Sequence, residues 1–282
     1  VLFELPWHET KPDAKEWMKN YTVSRYGEEN ALAQQAWELL RNSALNCTTR
    51  LQGPHEAVIC ARPSLSVDRV SSWGGTEIFY NYEDVKKAAQ LLLEADLEGE
   101  NYNYDLIEIS RQTMTDHAYY LLKEIKKSYE ENDNDNYERL RDEFLSLILD
   151  LDALLNTNEN FMLGTWTEMA RAIADEVEST TEYDKGWLEL NNARTLITTW
   201  GDEVNANRSG LRDYSYRAWG GMLKDFYYPR WKYYFDNNMQ EPSEGWFELE
   251  RKWALDESLK YFNIPQYDTK EVLINIKKAH HF

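Results

Sequence analysis

The chain has 282 residues, 42% hydrophobic and 14% aromatic, so it can bury a substantial core and is no disordered tail. Its formal net charge of -19 would repel a phosphate backbone or an anionic membrane surface, which argues against nucleic acid and membranes as partners. Two cysteines, Cys47 and Cys60, are too few for a disulfide scaffold and match no zinc spacing; a local disulfide and two thiols both stay open. No apolar run is long enough to span a bilayer. The opening Val1-Leu2-Phe3-Glu4-Leu5-Pro6-Trp7 has no initiator Met, basic n-region or cleavage site. It reads as a segment of a longer protein, with any export signal upstream.

In chain order, helices are predicted over residues 14–26 and 29–44. Residues 51–80 hold Gly53-Pro54, Arg62-Pro63-Ser64 and Gly74-Gly75, so they form no single helix. A loop region of that length is usually functional or packs as an excursion. A helix over 82–95 follows. Leu106, Ile109, Thr113, Ala118, Leu121 and Ile125 then mark one face of a helix over 102–127. Tyr137, Leu140, Phe144, Leu147, Ile148, Leu151, Leu154 and Leu155 mark another, and the polar run 130–136 between the two is a turn. The pair should form an antiparallel hairpin. A third long helix is expected from Thr165 towards Thr199, ending at Trp200-Gly201 with Gly as a left-handed cap. A loop over 202–210 follows, and a fourth long helix starts near Leu211, broken or kinked at Pro229. Shorter helices are predicted over 246–262, after the start signal Pro242-Ser243, and over 270–280. With no repeat and no low-complexity linker, the expectation is a single all-α domain over residues 1–282. It would be an irregular bundle of long antiparallel helices with one extended loop region at about 51–80.

The chain has no phosphate-binding loop, no His-Glu-x-x-His and no Gly-x-Ser-x-Gly. The acidic run from Asp133 lacks the Gly and final Glu of a calcium loop and reads as a solvated turn. His117 lies in a helix, where packing or surface roles are commonest, and His280-His281 lie at the chain end, where disorder is common. No metal or cofactor is expected. With 50 Asp and Glu, spacing alone picks no catalytic pair, and none is nominated. More informative is the segment that runs from Thr199-Trp200-Gly201 through Asp213-Tyr214 to Tyr228-Pro229-Arg230-Trp231. A Trp at one helix end and a Tyr at the next helix start flank one loop, and loops held by helices favour sites. A Trp face stacks on a pyranose and a Tyr hydroxyl bonds a sugar hydroxyl, although most such aromatics simply pack between helices.

At this segment the sequence resembles the alpha-N-acetylglucosaminidases of glycoside hydrolase family 89. An ordered series carries the resemblance: Glu4-Leu5-Pro6-Trp7, Ser24-Arg25-Tyr26-Gly27, Ala36-Trp37-Glu38-Leu39-Leu40, Asn46-Cys47-Thr48, Arg62-Pro63-Ser64-Leu65 and Tyr80-Asn81. It continues with Tyr104-Asp105-Leu106, Arg111-Gln112 and Met162-Leu163-Gly164-Thr165-Trp166, and ends in the three motifs of the loop segment. The resemblance implies the helical C-terminal part of an exo-acting retaining enzyme that cleaves terminal alpha-linked N-acetylglucosamine. Both catalytic glutamates would lie in a barrel upstream of Val1, so this segment alone would be inactive. Its intramolecular partner would be that barrel and its ligand the terminal glycan. Trp200 and Tyr214 match sugar-facing positions; Arg62 and Asn81 are further substrate-binding candidates. A non-catalytic helical glycan-binding or docking module is the alternative. Residues 51–60 depart from the cysteine spacing of animal members, so no disulfide is carried over. The implied location is outside the cytosol: periplasmic or extracellular in a bacterium, lysosomal in a eukaryote. Asn20, Asn46 and Asn207 each begin an Asn-x-Ser/Thr sequon, glycan acceptors only in the second setting.

Overall fold

The computed structural model describes residues 5–49, 56–71, 74–177, 179–195, 199, 201–208 and 217–280. Among them lie eleven α-helices and no strand. The described chain forms two compact units, one drawn from Val1–Thr49 and Phe79–Thr113, the other from Arg50–Ile78 and Met114–His281.

The first unit contains α1 (Ala14–Tyr26), α2 (Ala31–Asn42), α3 (Tyr82–Ala95) and the start of α4 (Glu100–Glu130). Each of the first three begins where a short polar side chain satisfies otherwise orphaned amides. Asp13 accepts from the Glu16 N–H, Asn30 from Leu32 and Ala33, and Asn81 from Glu83. Gly27 ends α1 in the left-handed region at φ 81°. Small residues at the α2 and α3 core positions, among them Ala33, Ala36, Ala88 and Ala89, are buried and allow close packing. The buried Asp105 carboxylate accepts bidentately from Arg25 and also from the Tyr26 hydroxyl at 3.0 Å. Burial and the Asp105 charge push the Tyr26 hydroxyl well above the usual phenol range.

The second unit contains the rest of α4, then α5 (Asn134–Leu155), α6 (Leu163–Ala172), α7 (Glu182–Glu189), α8 (Glu203–Arg208), α9 (Tyr228–Asp236), α10 (Gly245–Leu255) and α11 (Thr269–His280). The apolar stripe read on α5 is the core: Leu140, Phe144, Leu147, Ile148, Leu151, Leu154 and Leu155 are buried. Phe144 meets the edge of Trp231 from α9 at 4.9 Å between ring centroids. The α4–α5 turn is tighter than the polar run suggests. Asn132 turns the chain at φ 57° and Asp133 caps α5 by accepting from the Asn136 N–H.

Two expected long helices are interrupted. The one expected from Thr165 to Thr199 is α6, a 3-10 turn over Ile173–Glu176, then α7 and a π turn over Leu190–Arg194. The break follows from local chemistry. Ser179 adopts φ 69°, and Thr181 and Asp184 form a reciprocal capping box that starts a new helix. The end of that helix at Trp200 lies outside the described residues. The helix expected from Leu211 is not helical over Arg217–Gly220, and residues 211–216 are outside the described set. A π turn over Leu223–Tyr227 leads into α9, which puts Pro229 in the first α turn, where a missing amide donor costs little. The last described residue ties α11 to α5. His280 is buried and its Nε2 lies 2.7 Å from Asp150 Oδ2 on α5.

Among its described residues, loop 56–77 carries only a 3-10 turn, Val58–Cys60. Glu56 closes it. One carboxylate oxygen accepts from the Val70 and Ser71 amides at 2.7 and 2.8 Å, and the other from the Ser71 hydroxyl and the Gly74 amide. Cys47 and Cys60 are both thiols.

Candidate functional site

Trp200 and Tyr214 lie outside the described residues. The structure instead describes what flanks and grips the segment that carries them, and each grip is built from a charged side chain.

Before the segment, α7 passes through the π turn to Arg194. The buried Arg194 guanidinium donates to the Asp256 carbonyl at 2.6 Å and to the Trp253 carbonyl, and lies 5.3 Å over the Trp253 ring. The Thr199 amide bonds the Thr195 carbonyl at 2.9 Å.

In the middle, Asp202 starts α8 by accepting from the Asn205 amide at 2.8 Å. Asn207 on α8 accepts from Arg62 at 2.7 Å. Arg62 is otherwise committed to Glu250 of α10, through Nε at 2.9 Å and Nη2 at 2.8 Å. Glu250 is 1% exposed and also accepts from Arg230, itself 1% exposed, at 2.7 Å. Arg230 reaches on to the Cys60 and Ala61 carbonyls at 2.7 and 3.2 Å. Two guanidinium groups on one carboxylate leave a net positive cluster with every carboxylate oxygen taken by N–H donors. Such a pair is costly to break and poorly placed to move protons.

After the segment, Arg217 stacks over Trp166 of α6 and Trp219, at 5.3 and 4.6 Å to their ring centroids. The two indoles lie 5.7 Å apart. Gly220 is pinned on both sides, with its amide bonded to the Phe161 carbonyl at 2.8 Å and its carbonyl to the Leu163 amide at 3.0 Å. Asp152 of α5 then accepts from the amides of Gly221 at 2.7 Å and Lys224 at 3.1 Å. Gly221 needs its φ of 88°, and an added Cβ would meet the Tyr261 ring at 2.7 Å. Burial raises the Asp152 carboxyl to about 6, against the lowering effect of those amide bonds.

Of the other expected site residues, Arg62 belongs to the second unit and is engaged as above. Asn81 belongs to the first, where it caps α3 and its carbonyl accepts from Ser43 at 3.0 Å. A cavity of about 560 Å³ lies between loop 56–77 and α4, lined in part by Asp68, Arg69, Glu77, Tyr119 and Lys123. Neither Arg62 nor Asn81 lines it. No cluster among the described residues fits a metal ion. Sequence reasoning missed Glu250, Arg230 and Asp152. A signal existed for Glu250: it falls at helical spacing between Trp246 and Trp253, an acid on an apolar face.

The family model for the "Alpha-N-acetylglucosaminidase (NAGLU) C-terminal domain" matches residues 17–278. Human alpha-N-acetylglucosaminidase is 27% identical, over 96% of this chain and 36% of its own length. Among solved structures, the family 89 glycoside hydrolase of Clostridium perfringens in complex with PUGNAc is 26% identical with a TM-score of 0.89, covering 99% of this chain and 33% of that one. A variant of an enzyme from that organism, in complex with its substrate GlcNAc-alpha-1,4-galactose, is 27% identical with a TM-score of 0.87, covering 98% and 32%. The chain thus spans about a third of the length of these relatives.

Proposed function

The chain belongs to the alpha-N-acetylglucosaminidase (NAGLU) C-terminal domain family, and from that premise we propose that it is the helical C-terminal domain of an exo-acting retaining glycosidase. The substrate would be a glycan ending in alpha-linked N-acetylglucosamine. The observation that carries the reading is a likeness over nearly the whole chain, to about a third of one relative named alpha-N-acetylglucosaminidase and of another named a family 89 glycoside hydrolase.

In this reading two glutamates in a barrel upstream do the chemistry. One attacks the anomeric carbon, while the other protonates the leaving oxygen and then activates water. The helical domain walls the pocket and keeps bulk water from the bond being broken. Trp200 offers a face to the sugar ring and Tyr214 a hydroxyl to its polar edge. Arg62 serves the same site with most of its donors already spent on Glu250 and Asn207, and Asn81 is a candidate by resemblance alone. A glycosidase of this kind works outside the cytosol, so the longer protein is exported.

The test is to assay the longer polypeptide and this chain side by side on an aryl alpha-N-acetylglucosaminide. The longer protein should release N-acetylglucosamine first as the alpha anomer, and the chain alone should release none. Hydrolysis by the chain alone, or an inert longer protein, would overturn the proposal.

A further inference from the structure

One face of α7 turns its aromatics to solvent. Tyr183 and Trp187, one helical turn apart, are 78% and 53% exposed, well above what an indole usually shows. Both line a hollow of about 340 Å³ bounded by α6, α7 and the chain that leaves α10, a size suited to a small ligand. Gly186 lies between them in sequence and lines the same hollow. It sits inside the helix, where only proline is a poorer choice. Nothing lies within 4 Å of the place its Cβ would take, so packing does not call for a glycine. Its effect is to leave the helix bare between the two rings, as a notch.

The walls of the hollow are polar and already fixed. Arg171 donates to Glu182 at 2.7 Å and to Glu189 at 3.1 Å, and Arg194 to the Asp256 and Trp253 carbonyls. Neither guanidinium is spare to seat a phosphate or a carboxylate. Arg171, Arg194 and Lys260 face Glu182, Glu189 and Glu257, so the lining has no net charge. Glu189 Oε1 lies 3.8 Å from Arg194, beyond hydrogen-bond distance, and can accept from a hydroxyl. We infer that α7 carries a pyranose-binding notch: a ring of a neutral glycan enters over Gly186, lays its C–H face on Tyr183 or Trp187 and donates a hydroxyl to Glu189. A second hollow of about 390 Å³ shares Arg171, Glu182, Glu189 and Lys260 with the first, which gives room for the glycan to continue past that ring. The inference goes beyond the proposed function, because the notch holds a glycan without cutting it.

The test reads binding and needs no turnover. The longer protein, labelled and held in excess PUGNAc, the compound bound in the Clostridium perfringens relative, is passed over an array of neutral, sialylated and sulfated glycans. The wild type should retain neutral glycans. Trp187→Ala should lose at least about 10-fold in affinity for them. Gly186→Ala puts a methyl group in the notch and should lose as much. It should also melt at or above the wild-type temperature, since alanine is the better helix former, so its loss cannot be laid to misfolding. Wild-type glycan binding by Gly186→Ala, retention of no neutral glycan, or a preference for the acidic glycans would overturn the inference. Retention of neutral glycans by a longer protein that hydrolyses nothing would support the notch and sink the proposed function alone.

Discussion

Asp152 is 6% exposed, and its carboxyl is raised to about 6 by burial although two amides bond it. The sign of its effect on stability follows. The fold holds the proton more tightly than the unfolded chain, so the acid favours folding below about pH 4, and that contribution is lost as pH rises through about 6. Asp152→Asn keeps an oxygen for the Gly221 and Lys224 amides and removes the titration. The unfolding free energy of the variant should gain on the wild type by about 2–3 kcal/mol between pH 4 and 7 in urea titrations. A difference that does not change with pH would contradict this. Nothing in the sequence marks the residue as special, because Asp152 is one of many acids on α5 and the two backbone amides it holds, of Gly221 and Lys224, lie far along the chain. Glu250 differs, since its place on an apolar helix face was readable. What the sequence withheld there was the identity of its two arginines.

At the scale of elements, local chemistry decided what was legible. The helices α1 and α3 begin and end where the sequence places them, because Asp13 and Asn81 cap them and Gly27 and Asp96 turn the chain out. The hairpin of α4 and α5 followed from apolar periodicity alone. The helix expected from Thr165 to Thr199 failed because a Ser-Thr-Thr run was read through, while Thr181 and Asp184 start α7 afresh. That box has a measurable worth. Thr181→Ala should cost about 1 kcal/mol of stability, and hydrogen exchange should quicken in α7 while α4 and α5 stay protected. Uniform loss of protection would mean that α7 is no separate helix. The π turns over Leu190–Arg194 and Leu223–Tyr227 left no trace in the sequence. They flank the Trp200–Tyr214 segment in sequence, and turns of this kind are frequent at functional sites.

At the scale of the molecule, helical content and family were legible, and the division into two units was not. Both units draw on α4, so no composition shift marks a boundary. The proposed site draws on two sources. Trp200 and Tyr214 came from resemblance, since physical reasoning ranks such aromatics as packing. The arginines that flank their segment, Arg194 and Arg217, gained their partners from the fold. The central claim is that this helical domain puts its own side chains on the sugar while the cutting carboxylates lie elsewhere. The most direct test is steady-state kinetics of Trp200→Ala in the longer enzyme on an aryl alpha-N-acetylglucosaminide. The account predicts that kcat/KM falls at least about 10-fold, or about 1.4 kcal/mol, with the melting temperature retained. Wild-type kinetics in a folded Trp200→Ala enzyme would contradict it.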